Sequence, residues 1–325
     1  MTSFGNRFRI SLFGESHGAG IGLTIDGIPA GIPLDESLFE ADMARRRGGS
    51  QPGATPRMEE DIPQFLSGLY NGLTTGAPLT LWFANQNTRS EDYIPFQTHF
   101  RPSHADFVAH EKYHGMNDPR GGGHFSGRLT VALVAAGVVA KQLLPNLRFS
   151  TALRSIGREE DPTRFQELLQ AATAAGDSVG GVVECHVEGL PIGLGDPFFD
   201  SAESLIAHLL FSIPGIKGVE FGSGFDGTRM HGSEHNDPIL DASGKTSTNH
   251  AGGVVGGLTN GNPLIVRAAF KPTASIAREQ MTYNAASDRM EPLTIRGRHD
   301  ACIALRGAVV VEATVAIALA EFTLR

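Results

Sequence analysis

Two cysteines, Cys185 and Cys302, are all that the chain contains, and neither stands in a spacing that would ligate a metal. A disulfide framework is excluded, and the usage fits a reducing compartment. Long apolar runs are missing too. The two longest stretches, "VALVAAGVVAKQLL" and "GAVVVEATVAIALAEF", are interrupted by Lys141 and by Glu312 and Glu321. Both fall short of the roughly 18 apolar residues of a membrane span, so they read as buried core helices. The opening "MTSFGNRFRISLFG" lacks the continuous apolar segment of a secretory signal. The expectation is a soluble, cytoplasmic protein with no membrane partner. Positive charge is scarce, at 27 Lys and Arg against 35 Asp and Glu, and this balance disfavours nucleic acid as a partner.

Glycine, in contrast, is abundant. At 40 of 325 residues it is nearly twice the usual share of roughly 7%, which implies many tight loops, some of them approached closely by ligands. The basic residues are bunched in short glycine- or proline-flanked segments: "ARRRGG", "FRPSH", "DPRGGGH", "FKPTAS" and "RGRHD". Local cationic loops in an acidic chain point to an electrostatically focused pocket for a small anion.

No low-complexity linker divides the chain, but "IDGIPAGIPL" (Ile25 to Leu34) is echoed by "VEGLPIGLGD" (Val187 to Asp196). Each echo follows a strand-like segment, and each half ends in an apolar helix, Val131 to Leu144 and Gly307 to Phe322. The reading is a pseudo-twofold duplication within one compact unit, with repeats of roughly 1–150 and 151–325. Periodicity and turn signals predict further helices over Leu34 to Arg47, Pro56 to Ser67, Pro162 to Ala174 and Ser201 to Phe211. Strands are predicted over Arg7 to Phe13, Pro78 to Phe83, Lys217 to Phe221 and Pro263 to Ala269. Strands and helices mix without steady alternation, so the fold class is α+β.

"GSGFDG" (Gly222 to Gly227) satisfies the dinucleotide fingerprint and follows a predicted strand. The fingerprint also needs a helix to start there, and "TRMHGSEHNDPIL" has no helical period. A nicotinamide-dependent oxidoreductase, binding NAD or NADP at this loop, is therefore the rival reading. "GRHD" could suggest a metal, yet no His-x-x-x-His or Cys-x-x-Cys spacing supports one. The groups that remain are Glu15-Ser16-His17, Arg101 to Asp106, Arg120 to Gly123 ahead of a helix N-terminus, Lys271 to Ser275, and Arg298-His299-Asp300. Histidine suits general acid work near neutrality, and arginine suits bidentate grip on phosphate and carboxylate.

Taken in order, "GESHGAGIGLTIDGIPAG", "RPSHAD", "DPRGGG", "GSEHND", "NHAGGVVGGLTNG", "FKPTASI" and "GRHDACI…VVVEA" resemble the chorismate synthase family over nearly the whole chain. The resemblance implies loss of phosphate from 5-enolpyruvylshikimate 3-phosphate with removal of a C6 proton. It implies a requirement for reduced FMN, although the reaction is redox-neutral. It further implies a βαβ sandwich forming a single compact catalytic domain over residues 1–325, assembled as a homotetramer. Under it His17 would protonate or hydrogen-bond the reduced flavin, His104 would assist departure of phosphate, and Asp300 would lie near flavin N5 and relay the C6 proton. Lys271, Pro272, Thr273, Ala274, Ser275 and Arg298 would hold the flavin, with His124, Phe125, Ser126 and Gly215 at flavin-contacting turns and Gly256 admitting the cofactor closely. Ser16, Arg46 and Arg128 would bind the anionic substrate.

The chain departs from the family pattern in places. "RGGGHFSGRLT" stands where the family usually has "RGGGRSSARET", so His124 and Phe125 replace an arginine and a serine. Pro214-Gly215 stands for an Asn-Ala turn, and a second arginine expected after the first arginine run is absent from "GGSQPGATPR". The chain has no room for the extra segments of members that reduce their own flavin, so an external reductant is expected.

Overall fold

The computed structural model describes residues 2–49, 53–55, 59–88, 90–295, 297 and 299–324. The first half holds β1 (Ser3–Phe4), β2 (Arg9–Gly14), β3 (Gly20–Asp26), α1 (Ser37–Arg46), β4 (Gln64–Ser67), the small hairpin β5 (Leu69–Tyr70) and β6 (Leu73–Thr74), β7 (Leu79–Ala84), α2 (Asp106–Tyr113) and α3 (Thr130–Gln142). The second half opens with β8 (Arg148–Ile156), α4 (Phe165–Ala174), β9 (Gly181–Glu188), α5 (Ala202–Ser212), β10 (Ile216–Phe221) and α6 (Gly232–His235). It continues with the hairpin β11 (Val254–Val255) and β12 (Leu258–Thr259), then β13 (Leu264–Phe270), β14 (Gln280–Asn284), β15 (Arg289–Leu293) and α7 (Ala304–Thr323).

Two antiparallel sheets enclose the long helices. One has the order β1-β2-β3-β7-β4, the other β10-β13-β9-β8. Alternation places Leu79, Leu81 and Phe83 of β7 on the inner face, opposite Ile25, Leu23 and Ile21 of β3. In the second sheet Val183, Cys185 and Val187 pair with Ala268, Val266 and Leu264. Against these faces pack α3 and α7, which also pack on each other. Both are apolar nearly all round because both sides are covered. Such a layered mixture is α+β, as expected.

Each sheet is built alike: a paired couple of strands, a helix, two more strands, and a closing buried helix. The path is β2-β3-α1-β4-β7-α3 in one and β8-β9-α5-β10-β13-α7 in the other, with α4 inserted between β8 and β9. The sequence echoes occupy matching places. Thr74 donates from Oγ1 to the Pro29 carbonyl (2.7 Å) and accepts from the Ile32 amide (2.9 Å). Thr259 does the same with Pro191 (2.6 Å) and Leu194 (2.9 Å).

The helix predicted over Pro56 to Ser67 is not formed. Residues 56–58 lie outside the described residues, 59–63 have no regular structure, and Gln64–Ser67 is β4, paired with β7. Pro63 disfavours helical backbone at Ile62. Within and just past "GSGFDG" the chain makes a 3₁₀ turn (Gly224–Arg229), followed by the single turn of α6. No dinucleotide-binding helix begins there, and the nicotinamide reading falls. No helix among the described residues is long and apolar enough to cross a membrane.

The charges interrupting α7 are accounted for. Glu321 accepts from the amides of Asn6, Arg7 and Phe8. Burial works against ionisation of Glu312, but Arg45, Lys141 and Thr151 outweigh it and hold its carboxyl at about 2. Where α3 crosses α7, a Cβ on Gly137 would lie 2.4 Å from that of Ala313. Gly137→Ala in a free helix would gain about 1 kcal/mol, yet overpacking costs about 1–3 kcal/mol. The net expectation is destabilisation in a urea melt, and an unchanged midpoint would show that the helices separate without cost.

Candidate active site

A cleft of about 780 Å³ opens between the halves, lined by the end of α1, the 101–105 loop, the turn entering α3, the Lys271 to Ser275 segment, and Asp300 with Arg306. Among its described lining residues seven carry Lys or Arg side chains and three carry carboxylates. In a chain of net charge −8, this is a focused cationic site.

His104 is its most constrained group. Its Nδ1 lies 2.6 Å from Asp106 Oδ1, close enough that Nδ1 carries the proton and donates to the carboxylate. The 3.1 Å approach of Arg101 Nη2 to the same nitrogen is then a contact between two donors. Nε2 is left to exchange a proton with a ligand. Burial pushes the imidazole below its ordinary value and the Arg101 and Lys271 charges add to this, against the opposing Asp106 hydrogen bond. Arg101 forks onto Asp106 through Nε and Nη2, both at 2.7 Å, and reaches Ser275 Oγ with Nη1 (3.1 Å). Burial alone would raise Asp106, but Arg101 and His104 outweigh it and hold the carboxyl far below the usual range. A second cavity of about 330 Å³ lies beyond, and His104, Ala105 and Phe125 line both.

Arg46 and Arg128 converge on one carboxylate. Each donates to a different oxygen of Asp61 at 2.5 Å, and all three side chains are buried. Burial pushes Arg46 down to about 10, still charged near neutrality. One negative charge thus serves two positive ones. Arg46 Nε and Arg128 Nη2 remain buried with no partner among the described residues. Buried donors are seldom left unpaired, and an anion seated here would satisfy both.

The three glycines after Arg120 all have positive φ, and their side-chain absence shapes the site. A Cβ on Gly121 would meet His17 Cδ2 at 2.4 Å and Ser16 Oγ at 2.7 Å, and one on Gly122 would meet His104 Cε1 at 3.2 Å. The loop threads between the two histidines, where only glycine fits. Ser16 and His17 are buried behind Gly121 and do not themselves line the cleft, whereas Gly121 and Tyr93, whose ring meets His17 edge-on at 5.0 Å, do. His124 Nδ1 donates to the Gly14 carbonyl (2.9 Å), tying this loop to the His17 turn. His124, Phe125 and Ser126 line the cleft, and Ser126 Oγ accepts from the Arg128 amide. The helix α3 starts only at Thr130, after a 3₁₀ turn, and its first residue lines the cleft.

Lys271 Nζ donates to the carbonyl of Ser103, which sits at φ 58°. Burial pushes its ammonium down, and the nearby Lys217 adds to this. Along the same segment Pro272, Thr273, Ala274 and Ser275 line the cleft, and Thr273 Oγ1 is buried without a partner among the described residues. Gly215 lines it too, with no room for a side chain beside Ile303. Asp300 is buried and gripped at both oxygens by Arg306, with Thr55 donating to Oδ1 at 2.9 Å.

Three expected members, Ser16, His17 and Gly256, do not line the cleft. Arg298 lies outside the described residues. Gly256 is exposed in the β11–β12 turn, away from the cleft. Gly256 and Gly257 have φ of 63° and 89°, as the tight hairpin itself requires, so the glycine answers to the turn. Sequence reasoning missed Asp61 and Asn85, which carry no local signal, and Lys217 and Arg306, whose neighbours Gly218 and Gly307 are the same mark that flagged the other basic loops.

A half-buried His–Asp pair beside a cationic cleft, on an α+β sandwich, defines an enzyme for a small, multiply anionic substrate. The chain belongs to the chorismate synthase family, whose model matches residues 8–324. It is 60% identical over 325 residues to a chorismate synthase of Chitinophaga pinensis, covering 100% of this chain and 97% of that one. It is 43% identical over 352 residues to that of Opitutus terrae, covering 99% and 96%. A solved chorismate synthase crystal structure matches with a TM-score of 0.74 at 27% identity, covering 99% of this chain and 93% of the other.

Proposed function

We propose that this chain is a chorismate synthase, a monofunctional carbon–oxygen lyase of the shikimate pathway serving aromatic amino acid biosynthesis. It takes 5-enolpyruvylshikimate 3-phosphate, breaks the allylic C3–O bond and the C6–H bond, and yields chorismate and inorganic phosphate without net oxidation. The observation that carries this reading is the cationic cleft of an acidic chain, with His104 held by Asp106 at its wall.

The chain's residues divide the work. Arg46 and Arg128 bind an anionic group of the substrate through their unpartnered N–H groups. His104 donates a proton from Nε2 to the departing phosphate. The phosphate's negative charge offsets Arg101 and Lys271, which disfavour the imidazolium in the free site, so protonation follows binding. His17 acts from behind Gly121 on the cofactor, and Asp300, oriented by Arg306, helps carry away the C6 proton.

The residues present fit reduced FMN. The unpartnered Thr273 hydroxyl and the Lys271 ammonium suit its phosphate, and Gly215, His124, Phe125 and Ser126 suit its ring. When bound, the reduced flavin supplies an electron-rich ring to the site of elimination. Lys271→Ala is expected to weaken flavin binding at least tenfold in a fluorescence titration while the fold survives, and an unchanged affinity removes Lys271 from this role.

In this reading the protein works in the cytoplasm as one catalytic domain of two repeats, roughly 1–150 and 151–325, with reduced flavin supplied externally. Assembly is as a homotetramer in this reading; the exposed Phe198 and Phe199, 86% and 93% accessible, support contact with a further copy without fixing the number. Light scattering on the purified protein tests it. The decisive assay is anaerobic turnover of 5-enolpyruvylshikimate 3-phosphate with dithionite-reduced FMN. Chorismate and phosphate in equal amounts, only with reduced flavin, establish the function, and no product from folded, flavin-binding protein refutes it.

A further inference from the structure

We infer that Asn85 is a positioning residue that sets Arg128 against the turn carrying Ser16 and His17. This rests on the roles proposed above for His17 and Arg128. Asn85 follows the last residue of β7, and its amide donates to the Ala19 carbonyl at 3.1 Å. It is therefore anchored at the end of the β3–β7 ladder. Its side-chain Nδ2 donates to the carbonyls of Glu15 and Gly18, both at 2.9 Å, gripping the two ends of the turn. Its Oδ1 accepts from Arg128 Nε at 3.2 Å.

A planar head with two N–H donors and one acceptor is what these three partners need, and an amide supplies it. Asn85→Asp would set a carboxylate against two carbonyls, and Asn85→Ala would release both sides. On Arg128 the consequence is selective. Nε is held by Asn85, Nη1 is held by Asp61, and Nη2 alone is left for a ligand. One side chain thus fixes the guanidinium plane and the turn that presents the imidazole, whose relative placement the reaction depends on.

The test is a pair of double-mutant cycles, reading kcat and KM for 5-enolpyruvylshikimate 3-phosphate with reduced FMN. Asn85→Ala should lower kcat about 10-fold and raise KM about 10-fold. In a His17→Ala background its kcat penalty should shrink below about 3-fold. In an Arg128→Ala background its KM penalty should vanish. Asn85→Asp, of the same shape, serves if the alanine variant does not fold, and should also lower kcat. Wild-type kinetics, or penalties that simply multiply in both backgrounds, overturn the inference, because a loss of general stability has no reason to couple to either residue. If His17→Ala alone leaves kcat intact, the proposed role of His17 falls, and the Arg128 cycle decides for Asn85 by itself.

Discussion

His104→Ala lowers kcat by roughly 10²- to 10⁴-fold, the range for loss of a positioned proton donor, while leaving the protein folded. The physical ground is the 2.6 Å contact to Asp106, which assigns the ring proton to Nδ1 and leaves Nε2 for the substrate. The pH dependence has a definite sign. A donor must be protonated, and burial with two nearby cations pushes the free imidazole below its ordinary value. The ratio kcat/KM, which reports the free enzyme, should therefore fall as pH rises through a midpoint below about 6.5. Bound phosphate favours the imidazolium, so kcat should fall only at higher pH. Both profiles should flatten in His104→Ala. Wild-type turnover in that variant, or profiles identical to wild type, would remove His104 from the chemistry.

Asp61→Ala should be the most destabilising of the substitutions considered. It leaves Arg46 and Arg128 buried side by side with no counter-charge, and breaking a buried ion pair costs about 3–5 kcal/mol. That is a large part of a total stability of about 5–15 kcal/mol. The melting temperature should drop by roughly 4–7 °C. Inorganic phosphate, which restores a negative charge between the two guanidiniums, should raise it more in the variant than in wild type. Burial alone would raise the Asp61 carboxyl, but Arg46 and Arg128 outweigh it and depress its value in the folded state. A depressed carboxylate stabilises above the unfolded value near 3.9 and loses that contribution as pH falls through the folded value. The gap between wild type and Asp61→Ala should therefore narrow on acidification below about pH 4. An unchanged melting temperature at neutral pH would show that the two arginines need no counter-ion.

The parts of the site that were legible in the sequence are those where the chemistry is local. "RPSHAD" spells Arg101, His104 and Asp106 within six residues, and in the structure Arg101 and His104 both bond to Asp106. "KPTAS" names a segment that does line the cleft. Glycine density at "RGGG" signalled close packing, although what packs against it is a pair of histidines and not a ligand alone. Gly256 lies outside the cleft, in a hairpin turn that imposes the same demand for positive φ as a ligand approach. The reading failed at Pro56 to Ser67, where the acidic residues 59–61 are irregular and Gln64–Ser67, after Pro63, pairs as an edge strand.

What the sequence determined by itself was the family and most of the elements, though not β4, β8, β14, β15 or α2. Periods of two and near four residues, turn chemistry and motif order are all short-range properties, and they placed the buried helices α3 and α7, the strands β2, β7, β10 and β13, and the α+β class. What only the tertiary structure decided was which charges share a partner. Asp61 meets Arg46 and Arg128 across 15 and 67 positions. Asn85 joins a turn 70 residues earlier to an arginine 43 residues later. Arg306 fastens Asp300 and touches the Arg46 carbonyl, 260 positions away. A carboxylate or amide carries no local mark of its eventual counterpart. The cost of burying it unpaired is met only when the sheets close over the helices and bring those partners within hydrogen-bond reach.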